Sequence, residues 1–272
     1  MQFFSKIKKN DISKFKETYK IPEDSFVIGR IGQSFPGKWS PMLLEVFNDL
    51  AKKQDNIYLM IVNAPECILE IVEKSPYKNR IIHIPTIMGD KNLSIAYSSM
   101  DVMVLIAEQG ESFGMVLAEA ILCETPVVTL STPWADNSQC EVVANQLGGY
   151  IANSADGIKK AINLLYEKKD TLIKGKGIKH IYEEYNYIRV AQKALDSLST
   201  RSNIVTSQSV LNILKNTIDK PNFLTILFLK FNNDIFRKLT IYTSNYKSWN
   251  ELGFKILKKF KVNKITQSKD IL

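Results

Sequence analysis

Four side chains, Arg30, Lys38, Glu111 and Glu119, have the types and positions to do chemistry together. The stretch GESFGMVLAEAILCETPVV, residues 110–128, carries the two acids with seven residues between them. Glu111 stands just before an apolar helix whose pattern starts near Ser112 or Phe113. The N–H groups that open a helix have no partner inside it and attract an anion, phosphate above all. Gly114 lets a ligand come close to that backbone. An acid at position 111 also suits the helix dipole unaided. Glu119 lies inside the helix among Leu117, Ala118, Ala120 and Ile121. A carboxylate in such surroundings needs a partner. A structural ion pair would serve, and so would a ligand with paired hydroxyls, because a carboxylate accepts two hydrogen bonds side by side. Arg30 ends an apolar strand and Lys38 lies in the loop after it. Two cations beside a helix N-terminus would neutralise a diphosphate. Single basic residues are usually only solvated, so the weight of these two comes from their position.

That position depends on the elements around them. Apolar runs at 25–32, 56–62, 80–85, 101–107, 126–131 and 148–152 read as strands. Segments with helical spacing stand between and after them, at 41–53, 67–75, 92–100, 113–123, 154–168, 171–184 and 187–198. Pro41 suits the first turn of its helix. Strands that are apolar throughout and separated by helices predict an α/β fold, a Rossmann-like doubly wound parallel sheet covered on both faces. Ligands of such sheets bind beyond the carboxyl ends of the strands. The loops there are GQSFPGKWS (32–40), PTIMGD (85–90) and EQGESFG (108–114), and they hold all the candidates except Arg30 and Glu119, which flank them.

The 272 residues are 45% hydrophobic and 24% charged, ordinary for a folded soluble chain. The opening MQFFSKIKKND is too short in apolar residues for a secretory signal. No run of about 18 apolar residues occurs, so no spanning helix is expected. Cys67, Cys123 and Cys140 are far apart and form no C-x-x-C, which suggests buried thiols rather than disulfides or a zinc site. His83 and His180 are expected to be core or surface residues. The net charge of +8 is uneven: residues 1–199 hold 23 Lys and Arg against 24 Asp and Glu, while 200–272 hold 13 against 4. With the strand and helix pattern, this predicts a lead-in at 1–24, an α/β domain at 25–199 and a basic helical C-terminal extension at 200–272.

The sequence resembles the C-terminal, donor-binding half of GT-B-fold retaining glycosyltransferases, family 4, over roughly Asp24 to Leu198. The resemblance rests on SFVIGRIGQSFPGKWSPMLLEVF, with its Gly-Arg and later Lys, and on the block from Arg80 to Val128 with Glu-x7-Glu. It implies a transferase that moves a sugar from a nucleotide sugar to an acceptor with retention. Arg30 and Lys38 would bind the diphosphate and support its departure. Glu111 would contact the transferred sugar, and Glu119 the ribose hydroxyls. Ser112, Phe113, Gly114 and Met115 would form the turn that meets sugar and phosphate, and Pro85, Thr86 and Ile87 would lie by the base. No metal or other cofactor is expected. Glu124 and Asn63 stand where the family often has Gly, and Gln33 where some relatives carry another cation. The acceptor half is expected outside this sequence, in a longer form of the chain or on a separate one; the alternatives are a non-catalytic nucleotide-sugar-binding subunit and a basic membrane-surface-binding protein on an α/β platform. The basic, aromatic stretch 210–264 suits a helical extension, an anionic membrane surface or packing on that other half, and nucleic acid less well. A cytoplasmic location is expected, either free or peripheral on a membrane.

Overall fold

The apolar runs form a parallel sheet. The computed structural model describes residues 4–107, 109–133, 135–168, 175–199 and 216–221. Its strands are β1 (Phe26–Ile31), β2 (Ile57–Val62), β3 (Ile81–Ile84), β4 (Val102–Leu105), β5 (Val127–Leu130) and β6 (Gly149–Ala152), in the order β3-β2-β1-β4-β5-β6. Every pairing is parallel. The chain runs outward from β1 to one edge, then returns to β4 beside β1 and runs to the other. That reversal creates a crevice at the carboxyl ends of β1 and β4, the place where doubly wound sheets bind ligands.

The helices are α1 (Lys9–Thr18), α2 (Met42–Ala51), α3 (Glu66–Glu73), α4 (Asp90–Ser98), α5 (Met115–Leu122), α6 (Gln139–Val143), α7 (Ala155–Tyr166), α8 (Lys176–Tyr185) and α9 (Tyr187–Ser199). They cover both faces, because strand side chains alternate between the two. Ile28, Leu59, Ile61, Val104 and Val128 pack with α2, α3 and α7 in one core. Val27, Met60, Val62, Met103 and Leu105 pack with α4, α5, α6 and Ile181 of α8 in the other. Each such fully buried side chain contributes about 1.5–3 kcal/mol.

Four details depart from the sequence reading. The lead-in contains α1, which packs on α4. Helix α6 lies in a region that gave no helical pattern. Helix α5 begins at Met115, not at Ser112 or Phe113, because Gly114 is left-handed with φ 83° and cannot belong to the helix. Helix α8 begins at Lys176, with residues 169–174 outside the described ones.

Both non-glycine replacements, Asn63 and Glu124, are left-handed, each with φ 59°. Glu124 follows α5 in a Schellman ending: its N–H donates to Ile121 O and the Thr125 N–H to Ala120 O, both at 3.0 Å. The backbone thus accounts for the glycine expected at these sites.

Most of the basic extension lies outside the described residues. Its segment 216–221 sits on the carboxyl end of β6. The Ile218 N–H donates to Ile151 O at 2.8 Å. The Asp219 carboxylate accepts from the Asn153 N–H at 2.6 Å and the Ser154 hydroxyl at 2.5 Å. Ser154 also caps α7 by accepting the Gly157 N–H.

Candidate functional site

The loops after β1 and β4 face each other across the crevice. The first closes in a 3-10 turn, Pro36–Lys38. From it Lys38 Nζ reaches across to Glu111 Oε2 at 2.9 Å and to Gly110 O at 3.3 Å. Both partners of this ion pair are only partly exposed, 30% and 14% at the side chain. A cation of one loop and an acid of the other are therefore in contact across the crevice.

Arg30 lies behind that contact and is 2% exposed. Its guanidinium donates to Ile31 O and, at 2.7 Å, to Lys38 O. It stacks 4.8 Å over the ring of Trp39, itself buried. The Trp39 indole N–H donates to Gln33 O at 2.8 Å, and Asn63 Nδ2 to Gly32 O at 3.0 Å. The loop is thus held from three sides. Burial lowers the Arg30 pKa to about 10, against the pull of Glu111 and the Tyr97 hydroxyl. Arg30 remains charged at neutral pH and is placed as a support of the loop that carries Lys38.

The opposite loop turns at Gly110, with φ 68°. A Cβ there would collide with the carbonyl of Asp136, so only glycine fits. The Glu111 N–H donates to Gln139 Oε1 at 3.1 Å, and the Ser138 N–H to Glu111 O. Gln139 is fully buried and its Nε2 donates to Leu130 O, Thr132 Oγ1 and Asn137 Oδ1. This network, in the loop after β5, fixes the backbone of Glu111. The sequence reading missed it. The signal was the turn-forming cluster of Ser131, Thr132, Pro133, Asp136, Asn137 and Ser138.

Glu119 has a neutral partner rather than an ion pair. The Tyr97 hydroxyl, on α4, donates to Glu119 Oε2 at 2.8 Å. Glu119 is half-buried and Tyr97 wholly so. Desolvation raises the Glu119 pKa, and the Tyr97 hydrogen bond lowers it. Ser112 and Met115 are exposed, while Phe113 packs edge-on against Tyr185 at 5.0 Å. Thr86 is exposed and Ile87 leans on the core below the loop after β3. His83 is exposed, and His180 meets Glu141 O through Nε2, so neither lies at the crevice contact. Among the described residues no three His, Cys, Asp or Glu side chains gather as a metal-ligand set.

This arrangement can take a ligand that is anionic in the middle and hydroxylated at both ends. Lys38 and the N-terminus of α5 would face the anion, with Glu111 and Glu119 accepting hydroxyls on either side.

Comparison with known proteins bears on family and fold. Residues 11–179 match the family model described as glycosyl transferases group 1. The capsular polysaccharide biosynthesis glycosyltransferase CapM of Staphylococcus aureus is 27% identical over 187 residues, covering 67% of this chain and 46% of CapM. The N-acetyl-alpha-D-glucosaminyl L-malate synthase of Bacillus anthracis is 26% identical over 122 residues, 44% of this chain and 31% of the synthase. The chain therefore spans less than half the length of these curated relatives. Among solved structures, HepE of Anabaena in complex with UDP-glucose superposes with a TM-score of 0.59 at 19% identity, over 73% of this chain and 54% of HepE. The C-terminal domain of the group 1 glycosyl transferase LpcC of Francisella tularensis superposes at 0.56, with 19% identity, over 68% of this chain and 97% of that domain. These likenesses establish a GT-B Rossmann-like half as the fold.

Proposed function

This chain belongs to the glycosyl transferases group 1 family, and from that premise we propose that it is the donor-binding half of a retaining glycosyltransferase. The observation that carries the reading is the Lys38–Glu111 contact across the crevice between β1 and β4. In this reading the donor is a nucleoside diphosphate sugar. Its diphosphate meets Lys38 and the backbone N–H groups that open α5. Its sugar hydroxyls are accepted by Glu111, and its ribose hydroxyls by Glu119. The base lies against the loop of Thr86 and Ile87, and Ser112, Phe113, Gly114 and Met115 line the turn between sugar and phosphate. Arg30 holds the loop of Lys38 from behind and adds its charge to the field on the phosphates.

As the bond from sugar to phosphate breaks, negative charge gathers on the leaving diphosphate. Lys38, with the charge of Arg30 behind it, would stabilise that charge, which is how preorganised electrostatics lowers a barrier. With these two cations the proposal includes no metal ion. The curated relatives are more than twice as long as the matched stretch. We therefore place the acceptor on a second GT-B half, outside these 272 residues, that would close over the crevice and align the acceptor.

The reading is tested by a thermal-shift screen of UDP-, GDP- and ADP-sugars, since a ligand bound only by the folded state raises its stability. At least one class should shift the midpoint, and Lys38→Ala should abolish the shift. Mixing the chain with an acceptor-binding half should yield transfer, and NMR of the product should show the donor's anomeric configuration. No shift with any class sinks the donor assignment; an inverted product sinks retention alone.

A further inference from the structure

One buried ionisable group has no part in the mechanism above: the hydroxyl of Tyr97. It is wholly buried on α4 and donates to Glu119 Oε2 at 2.8 Å. The residue is fixed at its other end too. Its carbonyl accepts the hydroxyl of Thr125 at 2.7 Å, just past α5, and its ring meets Phe4 edge-on at 6.2 Å. A core tyrosine could satisfy its hydroxyl on a backbone carbonyl. This one is aimed at the half-exposed carboxylate of the opposite helix.

We propose that Tyr97 is a positioning residue for the donor's ribose: it holds the Glu119 carboxylate ionised and in one orientation, leaving Oε1 to accept ribose hydroxyls. The proposal rests on the ribose assignment of Glu119 made above. Geometry supplies the orientation, because a carboxylate tied at one oxygen by a rigid ring cannot rotate freely. Chemistry supplies the ionisation. Desolvation favours the protonated acid, and a protonated carboxyl loses acceptor capacity. The Tyr97 O–H opposes this, since a hydrogen bond to the charged form favours it. The other ionisable groups acting on this pair, among the described residues, are Asp90 on α4, Cys123 just after α5 and Arg30 of β1. Asp90 raises the Glu119 pKa, so it acts with desolvation rather than against it. The Tyr97 phenol stays protonated at neutral pH, its pKa raised by burial and by Glu119.

The experiment is a pH series of calorimetric titrations with UDP, with GDP and ADP run in parallel, on the wild type, Tyr97→Phe, Glu119→Gln and the double variant. Phenylalanine keeps the ring and removes only the donor. Tyr97→Phe should weaken UDP roughly tenfold at pH 7 and spare inorganic pyrophosphate. Its acid limb should move to higher pH, because the contribution that lowers the Glu119 pKa is gone. The double variant should bind no worse than Glu119→Gln. A nucleotide-free readout accompanies this: the 13C shift of the Glu119 carboxyl should titrate at higher pH in Tyr97→Phe. An unchanged acid limb and carboxyl titration in Tyr97→Phe, with Glu119→Gln still weak, would overturn the role of Tyr97 and leave the ribose assignment standing. An equal loss for pyrophosphate would also overturn it, as general loosening. Wild-type UDP affinity in Glu119→Gln would overturn the ribose assignment and Tyr97's role with it.

Discussion

Lys38 Nζ and Glu111 Oε2 lie 2.9 Å apart although their positions in the chain differ by 73. The pair spans the crevice where the strand order reverses, so a donor bound as proposed would replace or share this bond. Removing either partner should therefore have opposite consequences for different parts of the ligand. Lys38→Ala should weaken the nucleoside diphosphate of the donor that the screen identifies by about 1.5–3 kcal/mol, the loss of a charged hydrogen bond, and leave the bare nucleoside nearly unaffected. Glu111→Ala should leave the diphosphate's affinity unchanged or raised, since Lys38 loses its competitor, and should weaken the intact nucleotide sugar. Calorimetry with the three ligands checks this, and equal losses for nucleoside and diphosphate in Lys38→Ala would remove the phosphate assignment.

Arg30 supports the same loop from within. Replacing it by alanine leaves the carbonyls of Ile31 and Lys38 without their donor and Trp39 without its stacked cation. Arg30→Ala should cost about 2–4 kcal/mol in urea unfolding. Arg30→Lys keeps the charge but cannot serve both carbonyls with a planar fork, and should lie between. A stability loss below about 0.5 kcal/mol, the range of ordinary surface substitutions, would show that the loop does not depend on Arg30.

Glu124 occupies the left-handed position of a Schellman ending with φ 59°. Glycine takes that conformation without Cβ strain. The ion pair that Glu124 makes with Lys6, at 2.6 Å, is exposed and worth little. Glu124→Gly should therefore stabilise the protein by about 0.5–1 kcal/mol, read as a higher urea midpoint at unchanged slope. A lower midpoint would mean that the Lys6 contact outweighs the backbone strain.

Asp219 ties the segment 216–221 to the carboxyl end of β6 and the start of α7. Asp219→Ala removes the acceptor of the Asn153 N–H and of the Ser154 hydroxyl. The cost should be about 1–2 kcal/mol, with faster hydrogen exchange at the Asn153 amide. Unchanged exchange there would show that this docking contributes nothing in solution.

The strands, most of the covering helices and the carboxyl-edge loops were legible in the sequence because their signal is local. A buried parallel strand must be apolar along its length, and a covering helix must be apolar at its own spacing. The placement of Arg30, Lys38, Glu111 and Glu119 was legible for a related reason: all four fall in or beside the loops at the carboxyl ends of parallel strands, which this topology brings to one edge. Their partners were not legible. The start of α5 depends on the backbone of Gly114, and the left-handed turns at Asn63 and Glu124 carry no glycine to announce them. That Arg30 faces loop carbonyls, that Gln139 holds the backbone of Glu111, and that Tyr97 rather than a cation satisfies Glu119 are contacts between segments 8 to 28 residues apart. Local pattern cannot specify them. The sequence by itself determined which faces are apolar and which loops share an edge, since these follow from periodicity and burial. Only the tertiary structure decided which polar group meets which, because a buried donor or acceptor must be satisfied by whatever group the packing of distant elements brings within hydrogen-bond reach.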